Sequence, residues 1–133
     1  GALDQGTLSF WLGQGDKARS MLVQGLQNDG VPLLDALTSL MTWPAETGIP
    51  GFESWADVDG LWSNGAAFDI PILENAFNMC GLPAPWHYRS ARCCRTVTAL
   101  KGDVTVDTTG MVEHYAPDDC LCQVMKLQKQ LFP

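Results

Sequence analysis

Two carboxylates and one imidazole in this chain stand where they could act together. Asp69 follows a short apolar run, Leu61-Trp62-Ser63-Asn64, and opens a segment of helical pattern. Asp118 and Asp119 open another, with His114 in the loop just before them. An acid in the first turn of a helix is stabilised by the macrodipole, by ~0.3–1 kcal/mol at exposed sites, so capping accounts for any one of these carboxylates. It does not account for a His five residues ahead of Asp119. The alternative is phosphodiester cleavage. Mg2+ takes oxygen ligands, which carboxylates supply while offsetting its charge. Two such ions ~3.5–4 Å apart can hold the attacking and leaving oxygens of an in-line displacement. A neutral imidazole can take the proton from the attacking water. That chemistry needs acids from separate chain segments delivered to one end of a sheet.

The elements that must deliver them follow from periodicity. Residues 7–28 read as helical through Leu8, Trp11, Leu12, Ala18, Met21, Leu22 and Leu26, with Gly13 and Gly15 breaking the run in two. Residues 32–43 predict a second helix, with Pro32 at its start and Pro44 as its stop. Residues 45–59 read as loop, and 61–64 as a short buried strand between Gly60 and Gly65. A helix follows with Pro71 in its first turn and Gly81 just past its end. Residues 82–88 form a turn, and 91–99 hold another short strand running into a helical turn. A polar loop spans 102–113, with an edge strand expected at Val104–Val106. The last helix starts near Pro117 and runs to about Leu131. Leu121, Val124, Met125, Gln128 and Leu131 share a face there, which predicts a core-facing stripe. This order predicts an α/β or α+β domain, and the length fits one domain over residues 1–133.

Composition narrows the class. Hydrophobic residues are 46% of the chain, with five Trp and five Phe, which excludes intrinsic disorder. No apolar run approaches the ~20 residues of a membrane-spanning helix, and no basic, apolar leader opens the chain. A cytoplasmic protein is expected. The five cysteines, Cys80, Cys93, Cys94, Cys120 and Cys122, lack the spacing of a zinc knuckle and read as reduced thiols. The net charge of −7 counts against nucleic-acid binding, which usually rests on Lys and Arg. Two features offset it: divalent cations reverse the local sign at a carboxylate site, and Arg89, Arg92 and Arg95 fall within seven positions.

The motifs then become specific. Asn64-Gly65-Ala66-Ala67-Phe68-Asp69 resembles the second motif of the 3'-5' exonucleases: Asn, three residues, an aromatic, then Asp. His114-Tyr115-Ala116-Pro117-Asp118-Asp119 resembles the third motif of the DEDDh class: His, any residue, Ala, any two, Asp. The two stand in the right order, with Asp69 and His114 45 positions apart. The stretches TLSFWLGQGDKARSML, LWSNGAAFDIPILENAF, GLPAPWHYRSARCCRTV and EHYAPDDCLCQ are similar to the exoribonuclease-like DEDDh nucleases of phages and actinobacteria. The resemblance implies an RNase H-like fold lacking its first strands. It also implies trimming of RNA or DNA from the 3' end with two Mg2+ or Mn2+ ions. Asp69 and Asp119 would be metal ligands and His114 the general base. Asn64 would shape the turn before Asp69, and Trp62 or Phe68 would stack on a terminal base.

The family's first motif, Asp-any-Glu on a central strand, is expected upstream of residue 1. Asp57-Val58-Asp59 has related spacing but reads as a solvated turn. Arg92 and Arg95, with Arg89, have two readings: paired donors to substrate phosphates, or side chains solvated or bonded to loop acids. His87 reads as structural. Beside the exonuclease stands a second expectation, a catalytically inactive module on the same fold that binds nucleic acid or protein.

Overall fold

Six helices and one pair of strands make up the described residues, 4–27 and 30–132, of the computed structural model. The protein is mixed α/β, mostly helical with a small parallel sheet. It divides into two compact units: Gly1–Gly30 with Val104–Pro133, and Val31–Asp103. Among the described residues, no helix is long and apolar enough to cross a membrane.

The second unit, Val31–Asp103, begins with α3, Leu33–Thr47. Pro44 was expected to stop this helix, yet the helix runs three residues beyond it. A proline removes the N–H that would bond the carbonyl four residues earlier, here Leu40. That carbonyl instead accepts the indole N–H of Trp55 at 2.8 Å. Pro44 is fully buried, and the helix ends where Gly48 turns left-handed at φ 65°. The stretch 45–59 is therefore helix at its start. Near its end it forms a 3-10 turn, Trp55–Asp57. There Ser54 accepts the Ala56 N–H and Asp57 accepts the Ser54 N–H.

Strand β1, Leu61–Ser63, leads into α4, Asp69–Met79; β2, Ala91–Cys93, leads directly into α5, Cys94–Lys101. The strands run parallel in register Leu61↔Ala91, Trp62↔Arg92 and Ser63↔Cys93. Both strand-to-helix junctions thus lie at the same end of the sheet. The core beneath is aromatic: Trp55 and Trp86 meet edge to face at 5.6 Å, and Phe77 meets Trp86 at 5.6 Å, with Leu37 completing the cluster. Trp86 donates its indole N–H to Glu74 at 3.3 Å, which satisfies the polar atom that its burial would otherwise strand.

The first unit carries α1, Gln5–Leu12, α2, Asp16–Gln27, and α6, Ala116–Leu131. The break expected at Gly13 and Gly15 is present. Asp4 caps α1 by accepting the Thr7 N–H at 3.0 Å, and that bond, with others from Gly6 and the Thr7 hydroxyl, holds its carboxyl below the usual range. The position expected to end the second helical piece, residue 28, lies outside the described residues.

Two expectations fail here. Val104–Val106 forms no strand among the described residues; the Thr105 carbonyl accepts the Lys129 ammonium at 3.0 Å instead. The apolar stripe of α6 is not core. Leu121, Val124 and Leu131 are 49%, 48% and 38% exposed, while Leu127 and Gln130 are buried. The segment that flanks the stripe is a loop: Thr105, Val106 and Asp107 line an open cleft of about 620 Å³ with Met125, Gln128, Lys129 and Phe132. A loop gives that face partial cover where a sheet or helix would bury it.

Candidate active site

In the second unit, the chain leaves β1 and turns at once. Gly65 accepts the N–H groups of Phe68 at 2.8 Å and Asp69 at 3.2 Å, and its own N–H points back to Oδ2 of Asp69 at 3.4 Å. This reciprocal clasp places the Asp69 carboxylate at the first position of α4. Asn64, immediately before the turn, acts through its main chain. Its carbonyl accepts the Arg95 N–H at 3.3 Å and the Cys93 thiol at 3.7 Å, tying the two strand-to-helix junctions together.

Of the aromatic and basic candidates, Phe68 and Arg95 flank Gly65 at this end of the sheet, while Trp62 and Arg92 cover Gly60 at the other. Phe68 is 69% and Trp62 40% exposed, so both present ring surface to solvent. A Cβ added to Gly60 would lie 2.9 Å from Nε1 of Trp62 and 3.3 Å from Cγ of Arg92, which shows how closely the indole and the arginine stem cover that backbone. The guanidinium of Arg92 donates to the carbonyls of Arg89, Ala91 and Asp59. Of the two readings for this group, Arg92 is bonded to the loop, though through a carbonyl of Asp59 and not its carboxylate. Arg89 donates its Nε–H to the Tyr88 hydroxyl at 2.9 Å. Arg95 differs: its guanidinium lies over Gly65, where an added Cβ would stand 3.7 Å from Nη1, and it has no hydrogen bond or ion pair among the described residues. His87 accepts the Arg89 N–H through Nδ1 at 3.1 Å, a local structural role. The Asp57 carboxylate is engaged locally by the Ser54 N–H, and the Asp59 carbonyl by Arg92, 33 positions away.

Cys93 was not singled out from the sequence. It occupies the N-cap of α5. Hydrogen bonds from Thr96, then from the Ala66 N–H, hold its thiol down from the ordinary 9.0 to about 7. A cysteine immediately before a helix is the sequence signal that could have found it.

In the first unit, His114 and Asp119 are brought together. His114 has φ 66°, the one left-handed residue other than glycine among those described. His is among the residues that visit this region more readily, but the conformation is still uncommon. Its N–H donates to Oδ1 of Asp119 at 3.3 Å, while Asp118 accepts the Val112 N–H at 2.8 Å and Tyr115 donates to the Val112 carbonyl at 3.1 Å. Two successive carboxylates of the first α6 turn thus clasp the loop that presents the imidazole. The His114 ring meets Phe10 and Trp11 edge to face at 5.2 and 5.8 Å. Those two residues escaped sequence reasoning because more than 100 positions separate them from His114.

Asp69 is thus part of one unit, and His114 and Asp119 are part of the other. As cation ligands the carboxylates fit in kind. Each has one oxygen engaged by a backbone N–H and the other without a hydrogen bond among the described residues. In number they fall short: no three His, Cys, Asp or Glu side chains form a metal-holding group among those residues. The buried polar atom without a partner near β1 is the Ser63 hydroxyl, a poorer cation ligand than a carboxylate.

Comparison with known proteins places the chain among the nucleases, a class of hydrolases. More narrowly, it belongs to the 3'-5' exoribonuclease Rv2179c-like domain family, whose model matches residues 1–131. No curated protein and no solved structure was found to match it.

Proposed function

We propose that this chain is a 3'-5' exonuclease of the DEDDh class on an RNase H-like fold, releasing nucleotides from the 3' end of RNA or DNA. Asp69 and Asp119 would hold two Mg2+ or Mn2+ ions, which when bound offset the negative charge on the phosphoryl group. His114 takes the proton of the attacking water. An imidazole can serve as the base in that transfer, and the His114 backbone is already fixed. Arg95 offers paired donors to a substrate phosphate; Arg92, whose guanidinium donates to the carbonyls of Arg89, Ala91 and Asp59, contributes positive charge. Phe68 and Trp62 offer ring faces to the terminal bases, each such stack being worth ~1–3 kcal/mol. Asn64 sets the turn that delivers Asp69. The five cysteines, read as reduced thiols, suit a reducing cytoplasm.

The observation that carries this reading is the left-handed His114, tied through its N–H to Asp119, in a chain that the exoribonuclease family matches over residues 1–131. The reading requires that Asp69 and Asp119 serve the same ions. The test is nucleotide release from a 3'-labelled oligonucleotide in Mn2+, with and without EDTA, with a 5'-labelled strand to read direction. Release by the unmodified protein, abolished by EDTA and by Asp69→Ala or Asp119→Ala, is expected. Equal release from all three proteins would end the assignment. The shortfall in ligands favours a second reading, a catalytically inactive module that binds nucleic acid or protein. EDTA-insensitive oligonucleotide binding without release would select it.

A further inference from the structure

We infer that Phe10 and Trp11 are positioning residues that set the plane of the His114 imidazole, a role that rests on the proposed exonuclease reading. The hydrogen bond to Asp119 fixes the His114 main chain and leaves its side-chain torsions unset. The second of those torsions is of the broad, two-fold kind. Nor does the neighbouring carboxylate fix the ring: Oε1 of Glu113 is 3.8 Å from Nε2, beyond hydrogen-bond range. What does contact the ring is the pair on α1. Phe10 and Trp11 meet each other at 5.5 Å and 82°, and meet His114 at 5.2 Å and 71° and at 5.8 Å and 74°. Each ring is thus nearly perpendicular to the other two. This is the geometry that ring quadrupoles prefer, and it opposes rotation of any one ring.

The burial pattern fits positioning better than core packing. Phe10 is 49% exposed, too open to a solvent face to be a structural anchor. The His114 side chain is 29% exposed, shielded on its aromatic side and open to water elsewhere. A base must aim its lone pair at the proton it removes, and a misplacement of about 1 Å can cost ~10²-fold.

The experiment uses the full 133-residue chain and the variants Phe10→Leu, Trp11→Leu, Phe10→Tyr and Trp11→Phe. Proton NMR of the two histidines reads the ring directly, with His87 as internal control and His114→Asn for assignment. In Phe10→Leu and Trp11→Leu, the His114 ring protons should move toward the shifts of an unstacked imidazole, while those of His87 stay. In Phe10→Tyr and Trp11→Phe they should remain near their original positions. In nucleotide release, the Leu variants should lose roughly 10- to 100-fold in kcat at unchanged KM, and the aromatic variants should keep it. Circular dichroism checks folding, and the half-exposed Phe10 gives a variant with little to lose in stability. Unmoved His114 protons in both Leu variants, or equal loss of kcat in Leu and aromatic variants, would overturn the inference. If the unmodified protein releases nothing while the His114 protons move as stated, the exonuclease reading falls and the ring geometry stands.

Discussion

The backbone N–H of His114 donates to a carboxylate oxygen of Asp119 at 3.3 Å, so one side chain is asked both to clasp a turn and, on the proposed reading, to hold a cation. The two duties separate by substitution. Asn retains an oxygen that can accept the His114 N–H and removes the charge. Asp119→Asn is therefore expected to keep the fold and lose Mn2+-dependent release, whereas Asp119→Ala loses release and loosens the 112–115 loop. Full activity in Asp119→Asn, measured beside its circular dichroism spectrum, would reduce Asp119 to a clasp.

His114→Ala should lower turnover by ~10²–10⁴-fold, the usual contribution of one acid-base group, and leave Mn2+ binding unchanged. Single-turnover kinetics and calorimetric titration of Mn2+ check the two halves. Loss of binding would make His114 a ligand and not a base.

Pro44 and Trp55 form a compensating pair through the Leu40 carbonyl. Trp55→Phe strands that acceptor, which should cost ~1–3 kcal/mol in addition to any loss of packing. Pro44→Ala supplies a helical N–H to the same carbonyl, so Trp55→Phe should cost measurably less in that background. Urea denaturation of the four proteins in the cycle gives the coupling; strict additivity would deny it.

These cases show what the sequence could and could not tell. Apolar spacing located α1 through α4 and α6 to within a few residues; the run at 61–64 was legible as a strand between Gly60 and Gly65, while within 91–99 only a short strand and a helical turn were expected where β2 and the full helix α5 stand. Pro44 misled because the rule that proline ends a helix assumes an orphaned carbonyl. The group that rescues it lies 15 residues away. The face of α6 misled because periodicity reports which side is apolar, and not whether anything covers it. At the candidate site, Asp69, His114 and Asp119 were legible as motif spacing. The Phe10 and Trp11 contacts were not, since they depend on tertiary packing alone.

Cys93 should react as a thiolate near neutrality. The donors around it, Thr96 first, lower its value on folding to about 7. The stabilisation this confers is complete above the ordinary 9.0 and lost as pH falls through about 7. Iodoacetamide labelling followed by peptide mass spectrometry should show Cys93 modification rising through pH ~7. Cys93 labelling that rises only near the ordinary 9.0 would contradict the assigned surroundings.

Gly60→Ala should destabilise the protein by ~1–3 kcal/mol, the usual cost of overpacking, because its new methyl would sit 2.9 Å from the Trp62 indole and 3.3 Å from the Arg92 stem. If Trp62 also contacts a terminal base, KM for the oligonucleotide should rise as the indole is pushed aside. A thermal midpoint equal to that of the unmodified protein would show that the indole yields freely.

The distribution of indoles gives the molecule a pair of optical labels. Trp43, Trp55, Trp62 and Trp86 belong to Val31–Asp103, and Trp11 alone belongs to the other unit. With Trp11 replaced by Phe, intrinsic emission reports on one unit only. The difference between the emission of the unmodified protein and that of Trp11→Phe reports on the unit that carries the imidazole Trp11 touches. The melting of each half can then be followed separately, without cutting the chain.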